Sequence, residues 1–302
     1  MRTVSLTLMA GSLLLAAGCA GSGSKWGFLK NQEQARTPPE RPSTAQLVQY
    51  LNQNAQQLQS VECMDVDLDC KVGHQPFGLQ AKIACQKNRN FRLIATAVGN
   101  PQADMGSNDQ EFWFWVAKND PPYLFYCSYV DLARPGMSLP FPFQPEWVME
   151  ALGMAEYDPS KPYQVVANKN TIELMEPSRL PQGQTVNKIT VFTRSQNGLQ
   201  VTGHVLRDAQ NNEICTATVL KQRQDQATGA FLPKVVELTW KAEHLKMQLH
   251  MPDATINRME GQRNGDLYAR PNLRDIQSFD LARGFTPNPT GQVRRLSGEP
   301  IR

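Results

Sequence analysis

Histidines, cysteines and a run of alternating aspartates are the residues of this 302-residue sequence whose types could do chemistry. Their spacing argues against most of it. His74, His204, His244 and His250 form no HExxH pair, no GxSxG elbow is present, and no glycine-rich phosphate loop follows a predicted strand. Asp65, Asp67 and Asp69 share one parity and could gather round a cation, yet carboxylates alternating with Met64, Val66 and Leu68 are the wet side of a half-buried strand. His250 has the polar parity of its own strand, which turns it to solvent. No CxxC or Cys/His ligand spacing occurs. No metal, cofactor or catalytic constellation is expected, so the sequence reads as a non-enzyme.

One cysteine does stand in a chemical context. Met1-Arg2 supplies a positive charge, and Val4, Leu6, Leu8, Met9 and Leu13-Leu14-Leu15 follow as the apolar core of a secretory signal too short to remain as a membrane span. The core ends in Leu15-Ala16-Ala17-Gly18-Cys19. Small residues before a cysteine resemble the lipobox, which implies cleavage after residue 18 and a thioether to diacylglycerol on Cys19. Ala16 stands where a leucine is usual. Each buried CH₂ of the attached chains is worth about 0.8 kcal/mol, so several chains anchor firmly where one is marginal. Ala20 and Gly21 follow, and by the enteric sorting rule the lack of an acidic residue there points to the outer membrane, facing the periplasm.

Composition narrows the partners further. Hydrophobic residues make up 40% of the chain, enough for a sizeable core, and the net charge is only +3 with scattered basic residues. That is no nucleic-acid footprint. With Cys19 taken by lipid, Cys63, Cys70, Cys85, Cys127 and Cys215 remain, and five cannot all pair. Cys70 and Cys85 lie on apolar strand faces, where a free thiol behaves as a small hydrophobe.

These residues must be positioned by a simple series of elements. Residues 19–43, with Pro38-Pro39-Glu40-Arg41-Pro42, have no apolar period and read as a flexible tether. Ser43 or Thr44 caps a helix to about residue 59, with Leu47, Val48, Leu51, Ala55 and Leu58 on one stripe and mostly Asn and Gln elsewhere. From Val61 the period becomes two. Strands are expected near 61–72, 79–86, 91–98, 111–117 and 123–130, with 104–109 as a turn-rich loop. Pro135, Pro140, Pro142 and Pro145 interrupt the series, Pro145 opening a short helix to Gly153 whose Trp147, Val148, Ala151 and Leu152 share a face. Strands resume near 164–167, 171–175, 185–194, 199–207, 213–221, 235–240 and 245–251, with Asn197-Gly198 as a hairpin signal. Residues 261–302 read as a loosely ordered tail with one docked piece around Phe279. Consecutive hairpins most economically build one antiparallel meander curled into all or part of a barrel.

Three segments carry a further likeness: Asn90-Phe91-Arg92-Leu93, Gly106-Ser107-Asn108-Asp109-Gln110-Glu111-Phe112-Trp113-Phe114-Trp115 and Pro142-Phe143-Gln144-Pro145-Glu146-Trp147. With the lipobox and the inserted helix, they make residues 44–260 similar to the LolA/LolB family of periplasmic lipoprotein carriers and outer-membrane receptors, in a divergent form. The resemblance implies a mainly β fold: a curled antiparallel sheet, an incomplete β-barrel, covered by the N-terminal helix and by the inserted helix as a lid. Its inner face would be an apolar cavity for acyl chains.

In Phe112-Trp113-Phe114-Trp115 both faces of a predicted strand are apolar, so neither can be left to water without cost. These residues, with Trp147 and Val148 of the inserted helix, are the candidate ligand-binding set, ordinary core being the alternative. The expected function is a membrane-anchored monomer that holds acyl chains of lipids or lipoproteins for transfer in the cell envelope. The competing reading is a structural or interaction lipoprotein whose interior is fully packed.

Overall fold

The computed structural model describes residues 41–120, 122–134, 144–181, 183–195, 198–258, 265–283, 285–287 and 293–295. The lipobox with Cys19, nearly all of the tether, the prolines of 135–143, Asn197 and the ends of the tail lie outside the described residues. Among the described residues, no helix is long and apolar enough to cross a membrane.

Helix α1 (Thr44–Gln57) starts where its chemistry dictates. The Ser43 hydroxyl accepts from the Gln46 amide, and the Gln46 side chain accepts in return from the Ser43 amide at 2.7 Å. This capping box satisfies two donors that a helix N-terminus otherwise leaves open. Six strands follow as a meander: β1 (Ser60–Val72), β2 (Gln75–Gln86), β3 (Asn90–Ala97), β4 (Asn100–Ser107), β5 (Glu111–Val116) and β6 (Leu124–Ser128). After the single turn α2 (Tyr129–Leu132) comes α3 (Pro145–Ala151), with proline in its first turn. A second meander then runs β7 (Gln164–Ala167), β8 (Thr171–Arg179), β9 (Thr185–Ser195), β10 (Gly198–Asp208), β11 (Glu213–Gln224), β12 (Phe231–Trp240) and β13 (Leu245–His250). Two-residue β14 (Thr255–Ile256) pairs with β1. β15 (Ser278–Asp280) adds in parallel beside β6.

The meanders join where β1 pairs antiparallel with β13, Cys70 opposite Met247 and Leu68 opposite Leu249. One 15-stranded sheet results, ordered β15-β6-β5-β4-β3-β2-β1-β13-β12-β11-β10-β9-β8-β7. Because side chains alternate, the register assigns one continuous apolar face. It runs from Phe279 through Phe125, Phe114, Met105, Leu93 and Ile83 to Leu68, Met247, Leu238, Ala217 and Leu206. Cys63, Cys70, Cys85, Cys127 and Cys215 are all buried free thiols. Burial pushes the Cys70 thiol up to about 11 and the Cys215 thiol up to about 12.

The expected curled, incomplete barrel is corrected by this order. The sheet is open, its end strands β7 and β15 do not pair, and it is not strongly curled. A sheet needs closure only if its apolar face must bury against itself. Here helices cover much of that face: Leu47, Val48 and Leu51 of α1 pack on Ile172, Leu174 and Phe192, and Val148, Met149 and Ala151 of α3 belong to the central core. A second correction concerns residues 104–107, read as loop. They form the end of β4, with Met105 opposite Phe114 and Gly106 opposite Trp113.

Candidate functional site

Strand β5 has both faces buried, as its sequence demanded, but the two faces meet different neighbours. Phe112 and Phe114 lie on the side that carries α3, in a cluster with Tyr123, Phe125, Cys127, Leu132, Phe279 and Leu281. Trp113 and Trp115 lie on the opposite side, packed with Leu124, Leu273 and Ile276. The candidate aromatic tetrad is thus divided by the sheet itself.

The outer side is closed by residues 265–277, before β15 joins the sheet. Arg92 clamps this segment: its guanidinium donates to the carbonyls of Leu267 and Ala269 at 2.9 and 3.1 Å while making a bidentate pair with Asp104 at 2.9 and 2.7 Å. Asn108 donates to the Tyr268 carbonyl at 2.9 Å, and Arg270 stacks 3.5 Å from the ring centroid of Tyr126. The Trp113 ring lies against Gly106, where an added Cβ would fall well inside van der Waals contact. Glycine is therefore needed in that strand for close approach, not for a turn.

On the inner side α3 brings together a different set of groups. Glu150, only 7% exposed, projects from α3 onto β9 and β10. Lys188 donates to its Oε2 at 2.8 Å and the Tyr157 hydroxyl donates to its Oε1 at 3.1 Å. Thr190 Oγ1 lies 3.0 Å from the Tyr157 hydroxyl and 3.4 Å from His204 Nδ1, which stands 3.7 Å from Glu150.

Burial alone would raise the Glu150 carboxyl, but the Lys188 charge and the hydrogen bonds from Lys188 and Tyr157 outweigh it and hold the group below its usual value. Burial would likewise lower the Lys188 ammonium, and Glu150 more than restores it. For His204 burial wins and the imidazole is held below its ordinary value, so it is neutral at pH 7. Its contact with Glu150 is therefore dipolar, and Lys188 with Tyr157 carries the carboxylate's charge. Tyr157 is itself raised, first by burial and then by Glu150.

Cavities flank this cluster. One of about 30 Å³ is lined by Trp147, Val148, Glu150, Lys188, Ile189, His204, Val205, Leu206, Cys215, Ala217, Leu238 and Trp240. A second of about 40 Å³ lies between α1, the chain after α3, and β10 to β12, with Tyr50, Leu51, Val201 and Phe231 in its wall. Glu150 and His204 border both. A cavity must offer at least about 10–15 Å³ to admit a water, so these spaces are water-sized.

Of the six sequence candidates, Trp147 and Val148 therefore line a cavity, Phe112 and Phe114 extend the same sheet face farther off, and Trp113 and Trp115 are on the other side. Glu150, Lys188, Thr190 and His204 were not singled out as a group. The available signal was parity: Lys188 and Thr190 share a strand face with buried Val186 and Phe192, and His204 shares one with Leu206. Among the described residues no group of three or more His, Cys, Asp or Glu is placed to hold a metal ion. Asp65, Asp67 and Asp69 are exposed, and Asp67 accepts from Gln80 at 2.7 Å.

No protein-family model matches the sequence, and no curated protein matches it significantly. Solved structures do resemble it. A DUF1329 family protein from Desulfovibrio piger is 8% identical with a TM-score of 0.49, over 75% of this chain and 95% of that one. An outer membrane lipoprotein-sorting protein domain from Vibrio parahaemolyticus is 10% identical with a TM-score of 0.47, over 74% and 94%. A LolA superfamily protein from Nitrosomonas europaea is 10% identical with a TM-score of 0.43, over 74% and 97%. At 8–10% identity and TM-scores below 0.5, these likenesses transfer no residue role.

Proposed function

We propose that this chain is an envelope protein, tethered to the outer membrane through a lipidated Cys19, that binds acyl chains of lipids or lipoproteins on the apolar sheet face beneath α3 and passes them on. The observation that carries the reading is the unfilled space beneath α3. This seven-residue helix without a side-chain N-cap covers the apolar sheet face through Val148, Met149 and Ala151 and is tied down by Glu150 to Lys188 and by Glu146 to Arg89, yet a cavity remains at its contact. Displacing it would uncover Leu206, Ala217, Leu238 and Trp240, which a hydrocarbon chain can cover as well as the helix does. Burying ten methylenes would contribute roughly 8 kcal/mol, about the free energy of a micromolar dissociation constant before the cost of ordering the chain is subtracted. In this reading Trp147 and Val148 touch the ligand, and Phe112 and Phe114 extend the apolar surface beyond it.

The small size of the cavities favours a second reading, a packed interaction protein with no ligand. Mass spectrometry of organic extracts from the purified full chain carrying Cys19→Ser separates the two. Copurifying fatty acid or phospholipid supports the carrier. A lipid-free chain whose tryptophan emission does not move on titration with either favours the packed protein.

A further inference from the structure

The buried Glu150 cluster has the form of an occupied receptor. Both carboxylate oxygens of Glu150 are engaged, Oε2 by Lys188 and Oε1 by Tyr157, with Thr190 and His204 behind them. Only the carboxylate comes from α3. Lys188 and Thr190 are on β9 and His204 is on β10. Tyr157 follows α3 in sequence, but its backbone is clamped to α1: its amide donates to Asn52 at 2.8 Å and its carbonyl accepts from Asn52 at 2.8 Å. Between α3 and this clamp lies Gly153, at φ +80°, the left-handed residue that ends α3, its amide donating to the Glu150 carbonyl at 2.9 Å. If α3 lifts, the donors stay and the carboxylate leaves.

We propose that Lys188, Tyr157, Thr190 and His204 form a carboxylate-binding site that Glu150 fills in the closed form, and that the ligand is a single-chain amphiphile ending in a carboxylate, a fatty acid. The inference rests on the acyl-binding reading above and names its ligand class. Small cavities flank the carboxylate position, with almost wholly apolar walls toward Leu206 and Trp240, so a chain attached to a carboxylate there meets a hydrocarbon surface once α3 lifts. The charge count fits one carboxylate rather than a phosphate. Lys188 faces Glu150, whereas nearby Glu176 is matched by Lys161 at 2.6 Å and Glu146 by Arg89 at 3.4 Å. His204 adds a neutral dipole to the site.

The test uses the full chain carrying Cys19→Ser, with dodecanoate and dodecanol as probes in calorimetric titrations. Glu150→Gln removes the competing charge and is expected to bind dodecanoate at least about tenfold more tightly than the parent, with dodecanol changed far less. Adding Lys188→Met to Glu150→Gln is expected to erase the preference for dodecanoate while leaving dodecanol binding intact. Circular dichroism establishes that each variant is folded. If both probes bind equally and neither substitution matters, the carboxylate site is overturned and the acyl-binding reading stands. If neither probe binds any folded variant, both fall. Should Glu150→Gln not fold, the parent decides, since dodecanoate must then bind at least about tenfold more tightly than dodecanol for the proposal to survive.

Discussion

Arg92→Met tests how residues 265–277 are held to the outer sheet face. The substitution keeps the length and apolar stem of the side chain and removes five donors. Asp104, 7% exposed, would lose both bonds of its bidentate pair and keep only the long contact from Trp113 Nε1 at 3.4 Å. The carbonyls of Leu267 and Ala269 would lose their donor as well. Leaving one partner of a buried pair uncompensated costs about 3–5 kcal/mol. For a domain of this size each kcal/mol lowers the melting temperature by about 2–4 °C, so the drop is large and easily read. Urea denaturation gives the free energy directly, and a partner variant isolates its cause. Arg92→Met/Asp104→Leu removes the orphaned carboxylate and is expected to recover most of the loss. Hydrogen exchange of 265–277 should quicken in both variants, because the carbonyl contacts are absent from both. A loss under about 1 kcal/mol in the single variant, or a double variant no more stable than the single one, would refute the reasoning.

Gly106→Ala is expected to cost about 1–3 kcal/mol in urea denaturation, since the new methyl meets the Trp113 ring and Leu273 and Ile276 close the far side of that cluster. A neutral outcome would mean that the ring is free to move. Stability should also fall in mild acid. His204 is held below its ordinary value, so the unfolded chain takes up the proton first: the stability tied to neutral His204 is complete above about pH 6.5 and is lost as pH falls toward the folded value, by up to about 1.4 kcal/mol per pH unit. The groups facing it are Glu150 on α3 and Thr190 and Lys188 on β9. Glu150, also lowered, adds its own loss in stronger acid, and His204→Gln should flatten only the earlier part of the profile. In native-state hydrogen exchange, amides of α3 should open before those of β9, whereas equal protection would make α3 a fixed part of the wall.

How far the sequence discloses this arrangement depends on whether a residue's role is local. Ser43 and Gln46 form their cap within one turn, and α1 begins where their types demand. Strands such as β9 and β10 follow from alternation, and Pro145 marks the start of α3. Asp104 and Gly106 are different. By type they favour turns, yet Arg92 across the ladder pairs with one and the Trp113 ring needs the space above the other. Tertiary partners overrode local preference. The double-faced strand β5 was legible as buried on both sides, but what covers Trp113 comes from more than 150 residues later, which periodicity cannot reveal. Openness of the sheet was equally hidden, because hairpin order is the same in an open and a closed meander. The Glu150 cluster draws on α3, β9, β10 and the chain after α3, and only the misplaced polar parity of Lys188, Thr190 and His204 hinted at it.

Photochemical crosslinking tests the central claim most directly, with a fatty acid carrying a diazirine along its chain and peptide mapping of the full chain with Cys19→Ser. Saturable labelling of Trp147 or Val148 on α3 and of Leu206, Ala217 or Leu238 on the facing strands is the predicted result. It should be competed by unlabelled dodecanoate. Labelling confined to exposed side chains, or to the Trp113 and Trp115 side of the sheet, would contradict acyl binding beneath α3.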